Sequence, residues 1–202
     1  ESFTALVVAA NDVSSFLDRG LYMRVDNVWM SPVIFADGAS AGVFGPGEGR
    51  PFLKYTHCAW DGEHPLVTYK GGGAARPTSA LTIDDHVYLM DGRDVAAQFG
   101  PAMGRALSSL GFRSGLSKDQ VSRWYPHRAN LRLIQRFLAE HLVALDRVRC
   151  NVDSLGNTVS ASTLLLLHED LEHGTLPLDG PIEFLVVGAG MAEGGAIFMP
   201  PA

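Results

Sequence analysis

Four consecutive leucines, Leu164 to Leu167, sit inside a stretch from Ser160 to His173 with a helical pattern, and they restrict the fold more than any other feature. A helix that is apolar all round has to be covered on more than one side. The rest of the chain offers that cover. Leu6 to Ala10 is a continuous apolar run of the kind seen in a buried strand, and Val33 to Phe44 reads as strand, turn, strand. From Asp94 the spacing of Val95, Phe99, Met103, Leu107 and Leu110 follows one helical face, with Gly111 as the expected C-cap. Leu131 to Leu145 is predicted as another helix, Arg149 to Asp153 as a strand leading into the turn at Gly156, and Gly45 to Pro77 as loops and short strands broken at Gly71-Gly72-Gly73. Strands, helices and small-residue turns in alternation predict a layered α/β architecture.

Composition excludes several functions. A net charge of −6 leaves no basic footprint for nucleic acid. No apolar run is long enough to span a membrane, and the first ten residues lack a basic leader region, so the expected compartment is the cytoplasm, without a membrane partner. Cys58 and Cys150, the two cysteines, form no CxxC pair and have no His/Cys ligand spacing, which fits a reducing compartment and predicts no metal site.

The chemistry concentrates in Pro126-His127-Arg128-Ala129-Asn130 and in Gly156-Asn157-Thr158. Pro126 ends the strand-like Arg123-Trp124-Tyr125 ahead of a helix starting near Ala129, which puts His127 at a strand-to-helix junction where a side chain can point into a cleft. Of the other histidines, His141, His168 and His173 fall in helical patterns beside charges and read as solvated, while His57 and His64 flank Cys58 in a polar, loop-like stretch. Gly156-Asn157 makes a respectable turn by composition alone, and the apolar helix after it delivers Asn157 to a helix N-terminus. Phe184 to Phe198 is two apolar strands around a glycine-rich loop, with no helix after it of the kind a nucleotide loop needs.

Pro126-His127-x-Ala129-Asn130, followed by Asn151-x-Asp153-x-x-Gly156-Asn157-Thr158, resembles the ketoacyl synthase III branch of the thiolase superfamily. Phe35-Ala36-Asp37-Gly38-Ala39-Ser40-Ala41 is similar to that family's F-G-D-G-A-G-A segment, and Met90-Asp91-Gly92-Arg93-Asp94-Val95 to its M-x-G-R-x-V segment. The resemblance implies a thiolase-like fold, layered α-β-α-β-α with mixed sheets and incomplete here in its N-terminal half. Residues 1–85 would be the remainder of the N-terminal half and residues 86–202 the C-terminal half. It also implies catalytic roles for His127 and Asn157, an oxyanion-hole donor at Gly190 within Gly188-x-Gly190, and substrate contact by Asn130, for which helix capping remains the alternative. Acyl transfer from a thioester builds negative charge on oxygen, and two neutral donors stabilise that charge more than they stabilise the ground state.

By the same resemblance the chain begins just after the nucleophile-bearing helix and covers roughly the last three fifths of a full-length member. The nucleophile is therefore expected before Glu1, supplied by the N-terminal part of the same polypeptide, since neither Cys58 nor Cys150 precedes a helix that would activate it. A sheet lacking those neighbours is expected to expose apolar surface. The implied activity is acyl transfer from acyl-CoA to malonyl acyl carrier protein with decarboxylation, by a homodimer with no cofactor beyond the coenzyme A thioester itself. The alternatives are transfer to an oxygen or nitrogen acceptor without decarboxylation, and an inert partner subunit. The chain departs from the family pattern at Arg128, which replaces the usual glutamine, at Glu193, an often aromatic position, and in the poorly aligned Asp18 to Pro32 stretch; that stretch contributes to coenzyme A binding in the family, and its divergence favours a specialised polyketide or fatty acid-like pathway.

Overall fold

The computed structural model describes residues 3–14, 20, 31–47, 51–60, 66–69, 71, 85 and 88–201. His64, His86, Gly72, Gly73 and most of the Asp18 to Pro32 stretch lie outside the described residues. In chain order the elements are β1 (Ala5–Asn11), α1 (Ser31–Ile34), β2 (Gly38–Phe44), β3 (Phe52–Trp60), β4 (Val67–Tyr69), β5 (Tyr88–Met90), α2 (Gly92–Ser114), β6 (Arg123–Pro126), α3 (Leu131–Glu140), α4 (Val152–Leu155), α5 (Ser162–Glu172), β7 (Ile182–Gly188) and β8 (Ala192–Met199).

A four-stranded mixed sheet in the order β3-β8-β7-β6 forms the centre. β7 and β8 are the antiparallel hairpin expected around the glycine loop, and β6 joins β7 in parallel with Tyr125 opposite Phe184. Alternate residues of β7 feed two cores. Leu185 and Val187 pack with Phe99, Met103, Ala106 and Leu110 of α2 and with Ile134, Phe137 and Leu138 of α3. Ile182 and Phe184 pack with Tyr125, Phe198 and Leu166 of α5 on the opposite face. Each fully buried side chain of this size contributes roughly 1.5–3 kcal/mol of transfer free energy, so the two faces together fix the order of the layers. Gly195 lets the layers close up: a Cβ there would lie 2.3 Å from the Phe184 carbonyl oxygen and 2.6 Å from Leu110 Cδ1.

α5 is covered on a second side, as the leucine run requires. β1 and β2 pair antiparallel from Ala5 opposite Phe44 to Asn11 opposite Gly38. They lie against the turn that opens α5: Ser40 Oγ donates to the Ala161 carbonyl at 3.2 Å, and Asn11 Nδ2 to Ser160 Oγ at 2.6 Å. The order α2/α3, sheet, α5, second sheet is the layered α/β arrangement, with mixed sheets. Residues on both sides of position 85 share the central sheet, because β3 pairs with β8 from Phe52 opposite Met199 to Trp60 opposite Ala192.

Several local expectations are corrected. Leu6 to Ala10 is a strand, yet β2 is its one partner among the described residues and Leu6 and Val8 are 66% and 62% exposed. Val33-Ile34 belong to the helical turn α1, and Phe35 makes an isolated bridge to Asn157. The Gly45 to Pro77 interval contains the nine-residue β3, whose distant partner β8 leaves no local periodic signal. α2 continues past Gly111 to Ser114, because the left-handed position that favours glycine falls at Gly115, with φ 71°. α3 stops at Glu140: Leu142 turns to φ 53°, and the Val143 N–H closes onto the Leu138 carbonyl at 2.9 Å, burying Val143. Arg149 to Asp153 is not a strand, since Val148 makes a single bridge to Trp124 and Val152 already begins α4. His141 is half-buried with its ring 4.6 Å from that of Phe137, whereas His168 and His173 are exposed as expected.

Candidate active site

The parallel pairing of β6 with β7 places His127. Its backbone N–H donates to the Leu185 carbonyl at 2.6 Å, extending the β6 ladder by one residue and turning the imidazole out at the end of the strand. Nδ1 of the ring lies 3.1 Å from Ser162 Oγ, at the start of α5. Burial, and after it the neighbouring Arg128 guanidinium, pushes the His127 pKa down to about 4, so the ring is neutral at pH 7.

Asn157 arrives from the other direction. Gly156, at φ 68°, makes the turn, and a Cβ in its place would sit 3.1 Å from that of Ala36. The Asn157 backbone is clamped on both sides, its N–H donating to the Ile34 carbonyl at 3.1 Å and its carbonyl accepting the Ala36 N–H at 2.9 Å. The side chain is 4% exposed, and its Oδ1 accepts the Val159 N–H at 3.0 Å. A backbone N–H can meet only the oxygen of a carboxamide, so the NH2 of Asn157 is the end left for a ligand.

His127 and Asn157 line one cavity of about 840 Å³, in company with Asn130 and Ser162. Its walls are mostly apolar, from Val13, Phe35, Met90, Phe99, Leu133 and Val187. An apolar wall with a few convergent polar groups is the usual form of a small-molecule site. Asn130 caps α3, Oδ1 accepting from Arg132 N at 2.9 Å and Leu133 N at 3.4 Å, and it also lines the cavity. Gly188, Ala189 and Met191 of the glycine loop line the cavity; Gly190 is not among the lining residues, and a Cβ there would meet the Trp60 indole nitrogen at 2.8 Å.

The segments that carry His127 and Asn157 are tied to each other and to the scaffold. Arg128, fully buried, donates from Nη2 to Thr158 Oγ1 at 2.9 Å, bridging the residue after His127 to the residue after Asn157. Asp170 on α5, also fully buried, accepts from Tyr125 Oη at 2.6 Å and Thr175 Oγ1 at 2.7 Å and has Arg149 Nε 3.1 Å away. This cluster binds β6 to α5, the elements that carry His127 and Ser162. Glu193, singled out in the sequence, is turned away from the cavity into an ion pair with Arg105, its Oε2 2.6 Å from Arg105 Nε. Sequence reasoning missed Ser162, whose only signal was its place at the start of the apolar helix that follows Asn157, and it named Thr158 only as part of the motif.

Neither cysteine lines the cavity: Cys58 is exposed on β3, and Cys150 packs against the α2 core. Among the described residues no group of three or more His, Cys, Asp or Glu side chains is placed to hold a metal ion. Nor is any described helix long and apolar enough to cross a membrane. The site therefore brings a neutral imidazole and a carboxamide NH2 to one mostly apolar cavity, groups suited to an oxygen that gains negative charge.

Comparison with known proteins places the chain beside one family. Residues 112–199 match the family described as 3-oxoacyl-[acyl-carrier-protein] synthase III C terminal. The chain is 31% identical over 171 residues to the beta-ketoacyl-[acyl-carrier-protein] synthase III of Syntrophomonas wolfei, covering 82% of this chain and 51% of that protein. It is 28% identical over 195 residues to the enzyme of that name from Fusobacterium nucleatum, covering 95% and 57%. Among solved structures, the 3-oxoacyl-(acyl carrier protein) synthase III of Pseudomonas aeruginosa superposes with a TM-score of 0.79 at 26% identity, over 98% of this chain and 58% of that one. The Thermus thermophilus enzyme gives 0.80 at 26%, over 97% and 59%. The chain thus spans between half and three fifths of the length of these relatives.

Proposed function

The chain belongs, as a C-terminal part, to the ketoacyl synthase III branch of the thiolase superfamily, and we propose that it forms the donor half of a condensing active site. In this reading an acyl group from acyl-CoA is held as an ester on a nucleophile contributed by polypeptide outside these residues, and is transferred to malonyl acyl carrier protein with loss of carbon dioxide. The observation that carries it is the pairing on one apolar cavity of His127, neutral at pH 7, with Asn157, whose NH2 is left over by the contact of its oxygen with the Val159 N–H.

The chemistry follows from those two groups. Decarboxylation of a malonyl thioester moves the electron pair of the breaking C–C bond onto the thioester, and the enolate oxygen is where charge accumulates. Donors fixed in a dry site stabilise that charge without reorganising. A protonated histidine would bind the ground state as well, so its depressed pKa serves the transition state selectively. The glycine loop that lines the cavity at Gly188 and Ala189 supplies, in this reading, the backbone donor expected at Gly190. Asn130 contacts the substrate arm with the NH2 that its capping role leaves over. We assign the cytoplasm as the compartment, a homodimer as the assembly by family analogy, and a specialised pathway on the strength of the divergent Asp18 to Pro32 sequence.

The test is incubation of the protein carrying these residues with acyl-CoA and carboxyl-labelled malonyl carrier protein. Release of labelled carbon dioxide together with a lengthened product supports condensation. Acyl transfer without carbon dioxide release overturns the decarboxylative reading, and no transfer at all overturns the catalytic one.

A further inference from the structure

Arg128 follows His127 in the chain, is fully buried, and reaches with Nη2 to Thr158 Oγ1, the residue after Asn157. A guanidinium in that place carries a large desolvation cost unless a carboxylate and a full set of acceptors offset it. Here the offset is thin. Nε and Nη1 have no hydrogen-bond partner among the described residues, and none of the ion pairs among those residues includes Arg128. Glu169, the carboxylate that acts on it, is 29% exposed and is taken up by Arg149 Nη2 at 3.5 Å and by Asn151 Nδ2.

The tether to Thr158 does not by itself account for a charge. Thr158 is seated on the β2 backbone, where a Cβ at Gly38 would lie 2.7 Å from Thr158 Cβ, and its carbonyl accepts from Asn11 Nδ2 at 3.4 Å. A neutral donor would hold Oγ1 as well. What arginine adds is a positive charge that stays in place at neutral pH, in an interior where charges act more strongly than in water. Arg128 does not line the cavity, so it acts there only through space. That action reaches His127, whose pKa is lowered first by burial and then by Arg128.

We propose that Arg128 is an electrostatic support for the site: its uncompensated guanidinium, seated behind His127 and Asn157, adds a fixed positive potential at the oxygen those two side chains serve. The identity of that oxygen rests on the acyl-transfer reading. A charge in place before the reaction needs no reorganisation when the oxyanion forms. It favours the oxyanion over the neutral carbonyl, so its loss falls on kcat more than on KM.

The experiment compares Arg128→Met and Arg128→Gln, which remove the charge, with Thr158→Val, which removes the tether and keeps the charge. Replacing a buried ion by a neutral side chain is often tolerated, and urea midpoints identify the folded variants. The first readout is the His127 titration, from nitrogen chemical shifts without substrate, assigned by loss of the signals in His127→Gln. The second is carbon dioxide release from malonyl carrier protein by the acyl-CoA-loaded protein. The expected His127 midpoint rises by about half a pH unit or more without the charge and keeps its wild-type value in Thr158→Val. The expected kcat falls roughly tenfold or more without the charge, with KM within about threefold of wild type, and falls less in Thr158→Val. Because the titration needs no substrate, failure of the field and failure of acyl transfer are separable. A His127 midpoint that stays put in folded Arg128→Met and Arg128→Gln overturns the proposal. So does a kcat within about twofold of wild type in those variants, or a loss in Thr158→Val as large as theirs.

Discussion

Glu183 is a buried carboxyl that the proposed chemistry does not use, and it makes stability depend on pH in a direction that can be worked out. It lies on β7, two residues before the Leu185 carbonyl that anchors His127, opposite Trp124 of β6. The side chain is 2% exposed, with Oε1 lacking a hydrogen-bond partner among the described residues, and burial pushes its pKa up to about 8 from an ordinary 4.5. Between those two values the folded chain holds a proton that the unfolded chain has lost. Unfolding free energy therefore falls as pH rises, by about 1.4 kcal/mol per pH unit, and the cumulative loss by pH 7 is about 3 kcal/mol. Glu183→Gln removes the titration while keeping the shape. Urea unfolding of both proteins at about pH 5 and about pH 8 reads the effect, and the expected result is a difference between them that shifts by several kcal/mol in favour of the glutamine variant across that span. Taking the difference cancels His127, which titrates in an overlapping window with the opposite sign. Parallel pH profiles for the two proteins refute the reasoning.

The remaining expectations concern the elements around the site. His127 has a depressed pKa, so its contribution to stability is present above about pH 6.5 and is lost as pH falls towards about 4; nitrogen chemical shifts should place its titration below about pH 5, and in Arg128→Gln the titration should move upward. Tyr125→Phe deprives the buried Asp170 carboxylate of its donor at 2.6 Å and should lower unfolding free energy by about 1–3 kcal/mol, read from the urea midpoint. Gly195→Ala drives a Cβ into the Phe184 carbonyl and should cost about 1–3 kcal/mol or prevent folding; a stable variant with an unchanged midpoint contradicts the close approach of β7, β8 and α2.

The fold class was legible in the sequence because it rests on local patterns, and His127 and Asn157, which the structure brings to one cavity, were marked out by their resemblance to a family motif. Helical spacing gave α2 and α5, and the leucine run in α5 anticipated cover on two sides, which β1/β2 and the central sheet supply. What escaped the sequence is what depends on distant partners. β3, nine residues long, was expected only within a run of loops and short strands because its pairing with β8 is remote, and the end of α3 depended on a backbone turn at Leu142 that no residue type announces. Arg128 was visible as a departure from the family pattern, but only the structure explains it, as a buried bridge to Thr158. Ser162 was invisible as a site residue because a serine at the start of a helix carries no chemistry until its neighbour is known. Gly190 was read from a motif, whereas the lining falls on Gly188, Ala189 and Met191 around it.

The central claim is that His127 and Asn157 act together as neutral donors to one developing oxyanion. The most direct test is the rate of carbon dioxide release from a malonyl thioester by the protein carrying these residues, compared with His127→Ala and Asn157→Ala. Removal of either donor is expected to slow release by roughly a hundredfold or more, and the double variant to be little worse than either alone, because one oxyanion is served by both. Release that stays within about threefold of wild type in either single variant contradicts the account.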